Sequence, residues 1–271
     1  MSATTNLLSL YKKPFWLVLL VTAVIFAVAG GIFWLSRVQD PGTKPLPDFT
    51  AFVAGSERKQ AFFDFLGPVI TARNDIILIQ RTRLEAMAVK IGNGQQLGWS
   101  QINWLKRLAT RYHLELPDHV ISTAEISTML GLVDIIPMPL ALVQAAKESA
   151  WGTSRFAREA NNLFGQWCYT PGCGIVPRNR PAGSRHEVQS FKNVGAAVKS
   201  YFFNINTHAS YQMLREIRAR QRRSNQPLTG TALADGLLFY SERREDYVVE
   251  VKDMIRSNQP LFPRHQRASQ P

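Results

Sequence analysis

One glutamate, Glu148, stands at the end of a stretch that is apolar on almost every side. The residues before it predict a buried helix, since they are Leu140, Ala141, Leu142, Val143, Ala145 and Ala146. Pro137 and Pro139 suit the start of that helix, and Gly152 suits its end. A carboxyl group among apolar neighbours is poorly solvated, which raises its pKa. A carboxylic acid that keeps its proton near neutral pH is the group that a glycosidase uses to protonate a leaving oxygen.

The alternative is that Glu148 is an ordinary solvated carboxylate at a helix end, paired with Lys147 or Arg155. Most glutamates are surface groups, so an isolated Glu favours this structural interpretation. The surrounding motif changes that balance.

The motif Gln144-Ala-Ala-Lys-Glu148-Ser-Ala-Trp151-Gly152 is followed by Asn162-Leu-Phe-Gly165. Together they resemble the glucosaminidase domain of glycoside hydrolase family 73, which has a lysozyme-like fold. The whole chain is similar to the bacterial Bax family, whose membrane-anchored members carry that domain at the C-terminal end. The resemblance extends over residues 131–258 and is supported by three later stretches, residues 162–168, 204–208 and 240–247.

This resemblance implies an endo-β-N-acetylglucosaminidase that cleaves β-1,4 bonds in peptidoglycan glycan strands, with Glu148 as the general acid. It implies a set of substrate-binding residues, namely Trp151, Asn162, Phe164, Tyr240 and Tyr247. Either of the two tyrosines can stack on a sugar or hold its acetamido group, and each can instead be a core residue. Ala150 departs from the family pattern, in which Gly is frequent after Glu-Ser.

Glycoside hydrolysis needs a second group that stabilises an oxocarbenium-like centre. Glu187 can be a base that activates water if it lies about 6.5–9.5 Å from the acid, the inverting separation. Alternatively, the acetamido group of the substrate acts as the nucleophile and no second carboxylate is needed. A different class of function is also open, a non-catalytic wall-binding scaffold tethered to the inner membrane.

The N-terminal region predicts a membrane anchor. Residues 15–36 carry no charged side chain and, as a helix, can span a hydrocarbon core of about 30 Å. Lys12 and Lys13 precede this segment, which favours a cytoplasmic tail of residues 1–14 and a periplasmic domain on a single-pass inner-membrane protein. Ala27-Val-Ala29 offers an alternative signal-peptide cleavage site, but the apolar run continues beyond it.

The net charge of +12 fits nucleic acid, an anionic membrane surface or an acidic wall polymer. A domain outside the cytoplasm favours peptidoglycan and the membrane as partners and excludes nucleic acid. After the anchor, we expect a Pro-rich linker, a helical spacer, the glucosaminidase domain and a disordered tail, at residues 37–48, 49–130, 131–258 and 259–271. Within the spacer, Gly67-Pro68 predicts a break or kink in a helix.

Two cysteines, Cys168 and Cys173, flank the turn pair Pro171-Gly172. In an oxidising periplasm this spacing predicts a disulfide. Zinc needs two further ligands and only His186 is close in sequence, so we expect neither a metal nor a cofactor.

The segment from Glu187 to Phe191 alternates like a short strand, where the resemblance places a small β-lobe. The expected fold is therefore mainly α, a lysozyme-like α-lobe with a small β-hairpin lobe. A helical region and one N-terminal transmembrane helix precede it.

Overall fold

The computed structural model describes Thr22 and residues 40–117, 121–178, 180 and 183–263. The chain divides into two compact units, Met1–Asp40 and Pro41–Pro271. The anchor predicted at residues 15–36 lies, apart from Thr22, outside the described residues. Within the described part, no helix combines the length and the apolar character that crossing a membrane requires.

The unit Pro41–Pro271 is built mainly from helices. In chain order they are α1 (Ser56–Gly92), α2 (Trp99–Arg111), α3 (Thr123–Leu132), α4 (Met138–Glu148), α5 (Arg155–Ala160), α6 (Val194–Thr207), α7 (Gln212–Arg223), α8 (Gly230–Leu233) and α9 (Glu245–Ser257). Single 3-10 turns lie at Pro41–Thr43, Phe49–Ala51, Ala209–Tyr211, Ala234–Leu237 and Gln259–Leu261. A mainly helical fold with one small sheet confirms the expected class at that level. The lysozyme-like arrangement remains a prediction from the resemblance.

Helix α1 runs without interruption through Pro68, so a break there is wrong, and the alternative of a kink stays a prediction. A proline inside a helix costs about 3 kcal/mol through its missing N–H and its ring. Tertiary packing offsets that cost, since Leu66 and Val69 on either side are buried. Gly67 also makes a close approach, because a Cβ placed there would lie 2.7 Å from Cγ of Pro263. The tertiary contacts thus override the local signal.

The region predicted as a spacer, residues 49–130, shares one hydrophobic core with the rest of the unit. Helix α1 packs against α3, α4 and α6, and α4 is the helix that ends at Glu148. An aromatic cluster reinforces this contact, with the ring centroids of Phe49 and Phe62 5.3 Å apart. In the residues that the structure describes, the apolar face of α1 is therefore buried against residues 131–258, and the boundary between the helical region and the domain stays a prediction.

The ordered chain extends further than expected at both ends of the unit. Gly42, within the predicted linker, lies against α6, where a Cβ on Gly195 would come within 3.0 Å of its Cα. At the other end, Phe262 belongs to the tail predicted as disordered, but its ring packs on that of Phe63, with the centroids 5.1 Å apart. Residues 264–271 of that tail lie outside the described residues. The apolar side chains near each end extend the packed region.

In the described part of the small lobe, residues 161–178, 180 and 183–191, there are three short strands, β1 (Trp167–Cys168), β2 (Gly174–Ile175) and β3 (Glu187–Gln189). They pair antiparallel in the order β1-β3-β2, with Cys168 opposite Glu187 and Ile175 opposite Val188. Cys168 and Cys173 are bonded to each other, which confirms the disulfide.

Candidate active site

Helix α4 is the buried helix that the sequence predicted, and Glu148 is its last residue. Residues Leu140 to Ala146 are all buried, whereas Glu148 is half-buried. Burial raises the pKa of the Glu148 carboxyl above its ordinary value. A hydrogen bond from Tyr247 and the charge of Lys147 act in the opposite direction, and burial dominates.

The two cations next to Glu148 in sequence are engaged with other carboxylates. Lys147 Nζ pairs with Glu250, and Arg155 Nε lies 3.4 Å from Glu159. The structural alternative, in which Glu148 is an ion-paired helix-end carboxylate, therefore loses its proposed partners. The charge of Lys147 still lowers the pKa of Glu148, but burial has the larger effect and keeps the proton on the carboxyl to higher pH.

A chain of side-chain hydrogen bonds leads to Glu148. The Tyr201 hydroxyl donates to Oε1 of Gln144 over 2.6 Å, and Nε2 of Gln144 donates to the Tyr247 hydroxyl over 3.2 Å. Tyr247 in turn donates to Oε1 of Glu148 over 3.0 Å. Helices α4, α6 and α9 thus meet at the carboxyl, each contributing one or two of these groups.

Tyr240 lies against this chain. Its ring stacks on that of Tyr247, with centroids 5.4 Å apart and 14° between the planes. Its hydroxyl donates to the backbone oxygen of Phe164 at 2.9 Å. Burial raises the pKa of both tyrosines well above their usual range, so both stay neutral and act as donors. Tyr247 therefore contacts Glu148 directly, and Tyr240 lies next to it through the stacked rings.

Tyr247 is more deeply buried than a residue that stacks on a sugar would be. Its side chain is only 1% exposed, so its ring belongs to the core and only its hydroxyl serves the carboxyl. Tyr240 is half-buried and keeps part of its surface accessible.

Gly165 allows the chain to pass close to the acid. It has a φ of 64°, and a Cβ at this position would lie 3.3 Å from Oε2 of Glu148. A side chain here would crowd that oxygen, so glycine keeps it open.

Asn162 and Phe164 hold this turn in place. Asn162 is 1% exposed; its Nδ2 donates to the backbone oxygens of Gln166 and Gln189, and its Oδ1 accepts from the Gln166 N–H. Phe164 is also buried and stacks on Tyr201, with ring centroids 4.1 Å apart. These contacts give both residues a structural role instead of the predicted sugar contact, because their polar atoms and faces are already occupied.

Trp151 packs on α1. Its ring meets the edges or faces of Phe62 and Phe63, with centroids 5.9 and 5.3 Å away, and the Lys59 ammonium lies over it at 5.1 Å. Trp151 therefore packs the turn after Glu148 against α1, which is a structural role and not the predicted sugar binding.

The turn after Glu148 has three successive residues in the left-handed region, Ala150, Trp151 and Gly152, with φ of 50°, 59° and 78°. Such a φ is unfavourable for residues other than glycine. At position 152 glycine is also required for steric reasons, since a Cβ there would lie 2.3 Å from Cδ2 of Phe49. Ala150, where the family often has glycine, therefore carries backbone strain.

Glu187 belongs to the small lobe, where it accepts backbone hydrogen bonds. Its Oε1 accepts from Gly172 N at 3.1 Å, and its Oε2 accepts from Gly174 N at 2.8 Å. These bonds favour the charged form and lower the pKa of Glu187. Both oxygens are thus used to hold the disulfide loop, which argues against the predicted role as a base.

Sequence reasoning did not identify Gln144 or Tyr201 as site residues. Gln144 carries a signal, because it is a polar residue four positions before Glu148 on the same helix face. Tyr201 carries none, since only the packing of α6 against α4 brings its hydroxyl to Gln144.

Comparison with known proteins identifies the family of the chain. Residues 127–260 match the Glucosaminidase family, described as mannosyl-glycoprotein endo-beta-N-acetylglucosaminidase. The chain is 35% identical over 224 residues to Protein bax of Escherichia coli (strain K12), a match that covers 81% of this chain and 77% of that protein. No solved structure gives a significant match. The chain belongs to the Bax-like family of proteins that contain a glucosaminidase domain.

Proposed function

We propose that this protein is a peptidoglycan hydrolase of the endo-β-N-acetylglucosaminidase type, with Glu148 as its general acid. The observation that carries the proposal is the state of Glu148. Its carboxyl is half-buried, its pKa is raised by that burial, and its neighbouring cations are paired elsewhere. A group of this kind delivers a proton to the glycosidic oxygen as the bond from that oxygen to C1 breaks. A lysozyme-like arrangement of the helical unit belongs to the same proposal.

The hydrogen bond from Tyr247 has a part in this step. Once the proton has left, Glu148 is a half-buried carboxylate, and the Tyr247 hydroxyl stabilises the new charge at Oε1. Because Tyr247 stays neutral, it remains a donor throughout the reaction.

The acetamido group of the substrate is our choice for the second catalytic group. Its carbonyl oxygen attacks C1 as the leaving oxygen takes the proton, which forms a cyclic oxazolinium. Water then adds to C1, its proton passes to the Glu148 carboxylate, and the ring opens with retained configuration. The support for this choice is that Glu187 uses both oxygens in backbone hydrogen bonds and has a lowered pKa.

For the location, we propose a single-pass inner-membrane protein with residues 37–271 in the periplasm. The support is the charge-free segment of residues 15–36 after Lys12 and Lys13, together with a disulfide suited to an oxidising compartment. A reporter fused after Pro271 should be active only if it works outside the cytoplasm. Activity of a cytoplasm-only reporter at that position would contradict this topology.

Digestion of purified peptidoglycan with the full chain tests the activity. We expect new reducing ends on N-acetylglucosamine, identified by mass spectrometry of the released fragments. Reducing ends on the other sugar would contradict the bond specificity. Binding to peptidoglycan without any release would favour the alternative, the wall-binding scaffold.

A further inference from the structure

The side chain of Gln144 is a polar group within the apolar helix α4, and none of its surface is exposed. A buried amide is tolerated when both its oxygen and its nitrogen are paired. Tyr201 donates to the oxygen, and the nitrogen donates to Tyr247, which donates to Glu148. Gln144 therefore connects a tyrosine on α6 with the acid at the end of its own helix.

We propose that Gln144 is a positioning residue that, through Tyr247, holds the acidic proton of Glu148 on Oε2, the oxygen beside Gly165. This inference rests on the proposed function and deepens it, because it names the oxygen that delivers the proton. Gln144 itself does not touch the substrate in this scheme.

The hydrogen-bond chain has two self-consistent directions. In the observed direction, the Tyr247 oxygen accepts from Gln144, so the Tyr247 hydrogen goes to Oε1 of Glu148. Oε1 is then an acceptor, and an acidic proton must sit on Oε2. With the Gln144 amide turned over, its oxygen takes the Tyr247 hydrogen. Oε1 must then be the donor, which ties the acidic proton to Tyr247.

Tyr201 selects between these directions. With the amide turned over, the Gln144 N–H would face Tyr201, and the Tyr201 hydrogen would need another acceptor. Among the residues that the structure describes, the Tyr201 hydroxyl has no hydrogen-bond partner besides Gln144, and the residue is 1% exposed. A buried donor without a partner is costly, so the observed direction is favoured. Tyr201 therefore sets the orientation of the Gln144 amide, and that orientation decides the direction of the hydrogen bond between Tyr247 and Glu148.

The titratable groups that face Glu148 do not change their charge while Glu148 titrates, so the pH profile reports on Glu148. They are Lys147 on its own helix and the tyrosines Tyr201, Tyr211, Tyr240 and Tyr247. Burial raises the pKa of all four tyrosines, with that of Tyr211 reaching about 12, so they stay neutral while Glu148 titrates. Loss of the Tyr247 hydrogen bond removes an interaction that lowers the pKa of Glu148. The basic limb of the pH profile then moves to higher pH.

The test compares Tyr201→Phe with the wild type, both as full chains. Removing one oxygen frees the Gln144 amide to turn over. We expect kcat to fall roughly 10-fold with KM within about two-fold, and the basic limb to move to higher pH. Tyr112→Phe is the matched control, since it also removes the hydroxyl of a buried tyrosine, but one that follows α2 directly and lies outside the hydrogen-bond chain to Glu148. It should leave kcat and the pH profile unchanged.

A double-mutant cycle tests the transmission step. If Tyr201 acts through Gln144, then Tyr201→Phe added to Gln144→Met lowers kcat no further. Independent, multiplying losses would overturn the inference, as would an unchanged basic limb in Tyr201→Phe. Thermal melts check that each variant folds, and Tyr201→Phe decides alone if Gln144→Met does not fold.

A carboxyl NMR titration of Glu148 separates this inference from the proposed function, because it needs no activity. Glu148→Gln identifies the signal by its disappearance. A higher pKa of Glu148 in Tyr201→Phe than in the wild type supports the positioning role even in a protein that cleaves no glycan. An equal pKa in the two proteins refutes it even if glycan is cleaved.

Discussion

The hydroxyl of Tyr247 donates a 3.0 Å hydrogen bond to Oε1 of Glu148, joining two residues that are 99 positions apart in the chain. Two opposing effects meet in this pair. Burial raises the pKa of Glu148, whereas the hydrogen bond stabilises the charged form and lowers it. Burial has the larger effect, so the acid keeps its proton to higher pH than an ordinary glutamate while its conjugate base retains one strong donor.

Glu148→Gln should reduce glycan cleavage by at least ~100-fold, the usual range for removing a general acid. The amide keeps the shape of the carboxyl but has no acidic proton. Release of reducing ends from purified peptidoglycan measures the effect. Cleavage at the wild-type rate would show that Glu148 is not the acid.

The same variant should differ from the wild type in its pH dependence of stability. The pKa of Glu148 is raised in the folded state, so its stabilising contribution is present below the unfolded-state pKa. That contribution is lost as pH rises through the folded-state pKa. The melting temperature of the wild type should therefore fall relative to that of Glu148→Gln across that window. A difference that does not change with pH would contradict the raised pKa.

Tyr247→Phe should move the basic limb of the activity profile to higher pH, because it removes the hydrogen bond that lowers the pKa of Glu148. It should also lower kcat, since the carboxylate left after proton transfer loses its donor. Tyr240→Phe is the comparison, because that hydroxyl bonds to the Phe164 backbone instead. Equal pH profiles for the two variants would show that the Tyr247 hydrogen bond does not lower the pKa of Glu148.

Glu187→Gln should reduce activity only mildly, by less than about 10-fold, if the substrate's acetamido group is the nucleophile. The amide oxygen can keep one of the two backbone hydrogen bonds, from Gly172 or Gly174, so the loop should loosen without unfolding. The products should also have retained configuration at C1, which proton NMR of the first products can detect. A loss as large as that of Glu148→Gln, with inverted products, would restore Glu187 as the base.

Removing the Cys168–Cys173 disulfide should lower the free energy of unfolding by about 2 kcal/mol, because it closes a short loop. The Cys168→Ser/Cys173→Ser double variant measures this by chemical denaturation. Activity should fall as well, since this loop carries the Gly172 and Gly174 donors that hold Glu187. In wild-type protein made in the periplasm, labelling after unfolding without reductant should find no free thiol.

Ala150→Gly should raise the free energy of unfolding by roughly 0.5 kcal/mol. Relief of left-handed strain, about 1 kcal/mol, exceeds the entropy that glycine adds to the unfolded chain. Ala86→Gly is the control with the opposite expected sign. Ala86 is exposed inside α1, so glycine there should lower the free energy of unfolding by about 1 kcal/mol. Changes of the same sign in both variants would contradict the strain at Ala150.

Some of this protein could be determined from the sequence because the signals are local. The apolar run before Glu148 predicted a buried helix, and a buried helix end raises the pKa of a carboxyl wherever the helix packs. The turn between Cys168 and Cys173 likewise fixed the disulfide within a few residues. The motif from Gln144 to Gly165 was enough to identify the family.

Other features were decided only by tertiary structure, because they depend on contacts between distant segments. The sequence could not show that Trp151 and Asn162 are used for packing and turn formation, since their partners lie on α1 and β3. Nor could it show that Glu187 is held by backbone N–H groups, or that α1 continues through Pro68. The direction of the hydrogen bond to Glu148 depends on Tyr201, which reaches Gln144 only because α6 packs against α4. Local sequence patterns predict which face of a helix is buried, whereas the hydrogen-bond partner of each polar atom depends on which helices pack together.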